Sequence, residues 1–237
     1  MNKLSLLTGI LFISMSLAAQ QKKSTSLLDL GIGIGSNQQI ISGSWVNYWG
    51  LRKSQKFKLG VGVRLTSSFA IDKYYETADA RLTSGKTGPG VLFAENIPAN
   101  IDSFFVGKSQ INSLNLSFNS EYQFSSKWSA GFNIDLIGFS FGTQKTGIYS
   151  HNGASSVVQA KPTAFNLLLI SDNDLGSLNS ELFVRYKVDK KWSVRAGTSF
   201  LFNEYKTNTK VQVQNGIEND RFRHKSLYGL IALSYHF

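Results

Sequence analysis

Strict alternation of apolar and polar residues most narrows what this chain can fold into. Over residues 112–124 one parity carries Leu114, Leu116, Phe118, Tyr122 and Phe124, and the other Ser113, Asn115, Ser117, Asn119, Glu121 and Gln123. A period of two sends successive side chains to opposite faces, so the segment reads as a strand with one greasy and one hydrophilic face. The same pattern recurs over residues 28–34, 57–66, 128–136, 181–188, 192–200 and 227–237. Residues 40–49 have strand composition but an ambiguous face, which makes eight strands in all.

The start of the chain is different. Lys3 is the sole charge before an apolar stretch over residues 4–17, followed by Ala18, Ala19 and Gln20. This is the order of a secretory signal peptide, with cleavage expected after Ala18 or Ala19. The stretch is also short for a spanning helix, which needs about 20 residues. The expected division is therefore a leader at residues 1–19 and one domain over residues 20–237, outside the cytoplasm. No cysteine occurs anywhere, which excludes a lipid-anchored lipoprotein, a disulfide framework, a zinc-thiolate site and a cysteine nucleophile. With only three histidines in 237 residues, acid–base chemistry has few candidates, and no cofactor is expected.

Connection lengths test whether eight strands run up and down. With the amino terminus on the periplasmic side, the even connections are periplasmic turns, at residues 50–56, 125–127 and 189–191, and all are short. Three of the outer connections are long, at about residues 70–109, 142–177 and 204–221; the first, near residues 35–38, is short. Short turns on one side and longer loops on the other are the habit of a bacterial outer-membrane barrel. The expected fold is thus all-β, a single up-and-down antiparallel transmembrane β-barrel of eight strands. The apolar residues 164–171 could form an extra hairpin with residues 143–150, and if both segments span, the barrel has ten strands.

Aromatic residues flank the proposed periplasmic turns: Tyr48, Trp49 and Phe57 at the first, Tyr122, Phe124 and Trp128 at the second, Tyr186 and Trp192 at the third, Tyr235 and Phe237 at the end. Rings with an apolar body and a wet tip favour the headgroup level, so the repeated placement implies a girdle. Most of the net charge of the expected mature chain, +8 of +9, also gathers at this rim, through Lys22, Lys23, Arg52, Lys53, Lys56, Lys127, Lys187, Lys190 and Lys191, less Asp189. There it would meet anionic headgroups of outer-membrane lipids. These residues border apolar strands and do not form one aromatic-interleaved patch, which argues against a nucleic-acid partner.

The leader, the alternating strands, the order of short and long connections and the ending Tyr235-His236-Phe237 resemble the small outer-membrane β-barrel family of the outer membrane protein A and X type. The hairpins with Lys127-Trp128-Ser129 and Lys191-Trp192-Ser193 resemble barrel-domain proteins widespread in Bacteroidetes. The resemblance implies that Phe237, with Ile231, Leu233 and Tyr235 at alternate places before it, is the signal read by the barrel-assembly machinery. It also implies that this chain lacks the cell-wall tether of larger relatives, since no periplasmic domain is expected after the last strand.

A soluble barrel would turn its apolar parity inward. Here the polar parity is mostly Ser, Asn and Gly, which suits the narrow interior of an eight-stranded barrel. The ions on that parity are mixed in sign, with Asp29, Glu121, Asp135 and Glu181 against Lys58, Arg64, Arg185 and Arg195. Unpaired buried charge is costly, so several are expected to pair across the lumen and seal it.

Other motifs carry less. His224-Lys225-Ser226 resembles the His-x-Ser pair of lipid A deacylase barrels, but no carboxylate follows Ser226, and Glu218 would have to serve from a loop. Gly85-Lys86-Thr87 ends like a phosphate loop, yet Ala80 stands where that motif needs Gly. Gly31, Gly33 and Gly35 lie inside a strand. Asp172, Asn173 and Asp174 have calcium-ligand chemistry, but an Asx turn is the reading the segment favours. The aromatic residues expected in the outer loops are Tyr74, Tyr75, Phe104, Phe105 and Tyr149, and the loops' extracellular ligand is not named by any motif. Amino-terminal sequencing of the envelope form should begin at Ala19 or Gln20; a chain that keeps Met1 in the mature protein contradicts the leader.

Overall fold

The computed structural model describes residues 24–51, 54–169, 171–214 and 216–237. The expected leader, with Lys22, Lys23, Arg52 and Lys53, lies outside the described residues. Among the described residues the long strands are β1 (Ser24–Gly35), β2 (Gln38–Leu51), β3 (Phe57–Thr77), β4 (Ser103–Gln123) and β5 (Trp128–Phe141). β6 (Lys145–His151), β7 (Ala154–Pro162) and the short β8 (Phe165–Leu167) follow, then β9 (Leu178–Lys187) and β10 (Trp192–Thr207). A small hairpin of β11 (Gln212–Gln214) and β12 (Ile217–Asn219) precedes the last strand, β13 (Arg221–His236).

Antiparallel pairing runs β1–β2–β3–β4–β5–β9–β10–β13 and returns to β1 through rungs from Leu27 opposite His236 to Ile34 opposite Gly229. The sheet closes on itself as an eight-stranded barrel, so its strands have no free edge. Along the upper part of β5, β8 takes the place that β9 holds lower down, with Ile137 opposite Leu167.

The parity observed in the ring is the reverse of a soluble barrel's. Leu30, Ile32, Leu182 and Ile231 are each about 60% exposed or more, while Asn115, Asp135, Glu181 and Arg195 are buried. Water-soluble proteins seldom expose an apolar surface as continuous as this belt. β2, whose face was ambiguous in sequence, sends Ile40, Ser42, Val46 and Tyr48 inward and Ile41, Trp45 and Trp49 outward. Tyr48 is therefore not a girdle residue: neighbouring residues on a strand face opposite ways, Trp49 holds the outward place, and Tyr48 packs with Leu27 and Val46 inside the bore.

The largest departure from expectation is above the belt. Residues 70–109 are not one loop, because β3 and β4 run on as a long hairpin to Thr77 and from Ser103. The β6–β7 hairpin joins this extension through Phe104 opposite Tyr149, and β7 pairs with the top of β10 through Tyr205 opposite Pro162. β13 meets β3 directly, with Phe222 opposite Thr77. A second closed ring results, β3–β4–β6–β7–β10–β13, of six strands standing on the eight. The ten-strand alternative is corrected accordingly: residues 145–151 pair with 154–162 and not with 164–171, and they build the upper ring.

The two rings are filled by opposite chemistry. The upper ring encloses Tyr75, Phe104, Val106, Ile111, Tyr149, Ala160, Tyr205 and Phe222, all buried. Their rings meet edge-on, as in Tyr75–Tyr205 at 5.1 Å between centroids and Tyr149–Phe222 at 5.8 Å. Outside it, Glu76, Lys108, Thr146, Gln159, Lys161 and Lys206 are exposed. Asp72, at φ +53°, marks the exchange on β3. Below it the inward residues are Ser68 and Ala70, and above it they are Tyr75 and Thr77. β4 changes parity at the facing rung, from Ser109 to Val106, so the register continues unbroken. Of the expected loop aromatics, Tyr75, Phe104 and Tyr149 are thus core residues, whereas Tyr74 and Phe105 stack on the outer wall at 5.0 Å.

A connection over residues 78–102 closes the crown, beginning with the short helix α1 (Ala80–Thr83), whose N-cap Asp79 accepts from the Arg81 amide at 2.9 Å. Limited trypsin digestion of the folded protein should cut first at exposed Lys86 and spare Lys73 and Lys108 in the extended strands. Early cleavage at either strand lysine would contradict the second ring.

Candidate functional site

The bore of the lower ring holds the densest polar chemistry of the molecule. It is built by inward positions of β1, β3, β4, β5, β9 and β10, which closure brings together from residues as far apart as Asp29 and Arg195. Arg195 is forked onto Asp29, Nε to Oδ2 at 2.8 Å and Nη2 to Oδ1 at 2.9 Å, while its Nη1 reaches Glu181 Oε2 at 2.7 Å. Arg64 takes the other oxygen of Glu181 at 3.2 Å and donates to Asp135 Oδ1 at 2.6 Å. Arg185 donates from Nε to Glu121 Oε2 at 3.1 Å and also bonds Ser234, whose hydroxyl donates to Asp29 Oδ2 at 2.8 Å.

Neutral side chains fill the remaining positions. Asn115 and the Asn179 amide donate to Asp135 Oδ2 at 2.8 and 3.0 Å, Asn133 donates to Glu181 Oε2 at 2.8 Å, and Ser129 donates to Glu121 Oε1 at 2.7 Å. Seven of the eight ions singled out in the sequence thus form one buried network. Lys58 stands apart, half-buried opposite Glu121 in register and without an ion pair among the described residues. The seven carry four carboxylates against three guanidiniums, so the Lys58 ammonium is the charge that brings the set to neutrality.

The sequence reading missed what lies under the guanidiniums. Phe183 points inward from β9, with Arg195 4.8 Å and Arg185 5.3 Å from its ring centre, a cation–π arrangement on both. Its strand neighbours on either side are Gly131 and Gly197. A Cβ at Gly131 would stand 2.5 Å from the Phe183 ring, so the ring occupies space that only glycine leaves free. The signal was present as a large apolar residue on the polar parity of β9, facing glycines on two strands.

Apolar layers bound this polar section. Leu27, Val46 and Tyr48 pack at the turn end, Ile40, Leu201 and Tyr228 lie toward the crown, and the upper-ring core follows.

A second charged cluster lies outside the wall, where the segment after β8 covers β10 and β13. Glu204 is buried there and accepts from Arg221 Nε at 2.8 Å and from Arg223 Nη2 at 2.8 Å. Burial alone would raise its pKa, but the two guanidiniums outweigh burial and hold the carboxyl below its ordinary range. Asp172 pairs with Lys225 at 2.8 Å, and Asp174 Oδ1 accepts from the Leu169 amide at 2.6 Å. These carboxylates brace the segment, and no grouping suited to a metal ion occurs among the described residues. In the crown, Asp102 accepts from Tyr149 at 2.5 Å and bonds His151 Nδ1 at 2.7 Å. Burial and the Asp102 charge push the Tyr149 phenol above its usual pKa.

His224 and Ser226 do not face one another. His224 Nδ1 bonds the Tyr74 carbonyl at 2.9 Å, its Nε2 is 3.3 Å from Gln38 Oε1, and Ser226 donates to that same amide at 2.9 Å. Glu218 is in an exposed pair with Lys210 at 2.6 Å. Lys86 is exposed in the turn after Gly85, with no strand-to-helix step around it.

At the turn end of the barrel, Trp49, Phe57, Tyr122, Phe124, Trp128 and Trp192 all project outward and are exposed. Trp128 packs on Tyr186 at 4.8 Å, and Trp192 on Tyr235 at 4.9 Å. Ile231 and Leu233 share the outward face of β13, with Tyr235 half-buried beside them and Phe237 exposed just past the strand's end.

No family model matches the chain, and no curated protein does. Solved structures similar to it include Neisserial surface protein A, at 10% identity and a TM-score of 0.37, covering 92% of this chain and 100% of that one. The N-terminal β-barrel domain of Pseudomonas aeruginosa OprF is 6% identical over the same shares, with a TM-score of 0.37. Ail, the attachment invasion locus protein of Yersinia pestis, is 7% identical over the same shares, with a TM-score of 0.36.

Removing one member of the lumen network should be costly. Glu181→Gln strands Arg64 and Arg195 with half their countercharge and is expected to destabilise the barrel by about 3–5 kcal/mol, whereas Glu218→Gln, in an exposed pair, costs less than about 1 kcal/mol. Urea titration in detergent, followed by loss of the compact band on unboiled gels, measures both.

Proposed function

We propose that this chain is an integral outer-membrane β-barrel with a sealed polar lumen, acting as a structural and binding element of the envelope through its rigid crown. The observation that carries this reading is the combination of an outward apolar belt with a bore filled by the Arg64–Glu181–Arg195–Asp29 network. A belt of Leu, Ile, Val and Phe side chains calls for hydrocarbon around it, and in hydrocarbon only helices and closed barrels satisfy their backbone groups. The aromatic residues at the turn end support a girdle at one interface, and the basic turns support contact with anionic lipid headgroups. Secretion by a cleaved leader, and recognition of Ile231, Leu233, Tyr235 and Phe237 by the barrel-assembly machinery, complete the route to that membrane. The Lys-Trp-Ser hairpins are what support the narrower likeness to barrel-domain proteins of Bacteroidetes.

Recognition belongs to the outer face of the crown in this reading, since loops and strand ends held by a rigid scaffold are where binding residues concentrate. Exposed Tyr74, packed on half-buried Phe105, is its aromatic feature. Catalysis has no part: His224 and Ser226 both turn to Gln38, and Glu218 is engaged by Lys210. No cofactor and no nucleic acid is invoked.

Two measurements test this. The unboiled protein should migrate anomalously on gels and require detergent to stay monodisperse; a monodisperse sample in plain buffer would sink the membrane reading. In planar bilayers the protein should give no stable conductance steps, and resolved single-channel steps would replace the sealed barrel with a narrow channel for small solutes.

A further inference from the structure

The β1–β2 hairpin is shorter than its neighbours. It turns at Ser36 and Asn37, while β3 and β4 continue above it, and the last rung joins the Ile71 amide to the Asn37 carbonyl at 3.0 Å. This step leaves a notch on the outer wall, a cleft of about 490 Å³ at the upper margin of the apolar belt.

The lining of the cleft is two-sided. Ile34, Phe69 and Ile71 supply hydrocarbon, and Ile34 and Ile71 are 70% and 52% exposed. Lys108 and Lys145 supply ammonium groups, and Asn37, Gln39 and Gln110 supply amides. Among the described residues no carboxylate lines the cleft. Neither lysine has an ion-pair partner among the described residues, whereas Lys206, Lys210 and Lys225 in the same crown are each matched to an Asp or Glu. Lys73, close by, donates to the Ser36 carbonyl at 2.7 Å.

We propose that this cleft docks a phosphate-bearing lipid of the surrounding leaflet, its phosphate on Lys108 and Lys145 and its acyl chain along Ile34, Phe69 and Ile71. The inference rests on the membrane reading above and adds the lipid class and the residues. Charge complementarity selects the anion, since two unmatched ammoniums face a site free of carboxylates. The adjoining apolar wall selects an amphiphile: a free anion would use the lysines and leave Ile34, Phe69 and Ile71 uncovered. Amides beside the ammoniums suit the ester and hydroxyl groups that join a phosphate to its chains.

The test uses the full mature chain, purified in a neutral detergent, with short-chain phosphatidic acid and phosphatidylcholine as probes and retention read by native mass spectrometry. Phosphatidic acid should be retained over phosphatidylcholine, by roughly fivefold for each lysine engaged. The preference should fall in a Lys108→Gln, Lys145→Gln double variant to what the basic turns at the opposite rim retain, and be little changed in Lys190→Gln, at that rim. Equal retention of the two lipids, an unchanged preference in the double variant, or an equal loss in Lys190→Gln overturns the site. Displacement by equimolar inorganic phosphate overturns the amphiphile in favour of a simple anion site. Unboiled gel migration is recorded for every variant: a missing compact band tells against the barrel itself, whereas a normal band with no lipid preference tells against the cleft alone.

Discussion

Four carboxylates and three guanidiniums lie buried together in the bore, and their mutual pairing, with the Lys58 ammonium making up the charge, is the condition on which the lower barrel rests. Charges held away from water are tolerable only when paired and hydrogen-bonded. The barrel meets that condition by geometry: Glu181 gives one oxygen to Arg64 and the other to Arg195, and Asp29 accepts the Arg195 fork from across the closure seam. The network therefore links β1, β3, β5, β9 and β10 through side chains as well as through the sheet. Phe183 adds an apolar plate beneath two of the cations, seated where Gly131 leaves room for its ring.

The second ring follows from the same rule in a different surrounding. A wall bathed in hydrocarbon keeps its polar groups inside, and a wall bathed in water does the reverse. β3 and β4 belong to both rings, so their alternation must change phase between them, and it does so at Asp72 and the facing rung of β4. Replacing β5, β9 and the β1–β2 hairpin by the β6–β7 hairpin narrows the ring from eight strands to six, which suits a dry core of interlocking aromatic side chains. The crown is accordingly a continuation of the barrel wall, braced outside by Glu204 with Arg221 and Arg223. The notch beside it exists because one hairpin ends a few rungs early.

Much of this was legible along the chain, though unevenly. Residues 112–124 and 227–237 announced their faces without ambiguity, because each stays in one environment from end to end. Residues 40–49 did not: Ile40, Val46 and Tyr48 are apolar residues on the inward parity, so hydrophobicity no longer distinguished the faces, and Tyr48 was misassigned to the girdle. Residues 70–77 and 103–109 were misjudged for a related reason. A strand that crosses from hydrocarbon into water reverses its pattern, and a reversed pattern reads as no pattern. The seven members of the lumen network were visible as ions on a polar parity, but not who pairs with whom.

By itself, the amino-acid sequence determined the local alternation, and with it the number of strands in the lower ring, the outward belt and the polar interior, because period two acts between adjacent residues and needs no knowledge of distant ones. Tertiary structure alone decided the six-stranded upper ring, the inward turn of Tyr48, the partnership of Arg195 with Asp29 and the cleft beside Lys108. Each of these depends on which strand lies next to which after closure, and closure brings together residues more than a hundred positions apart whose proximity no local pattern records.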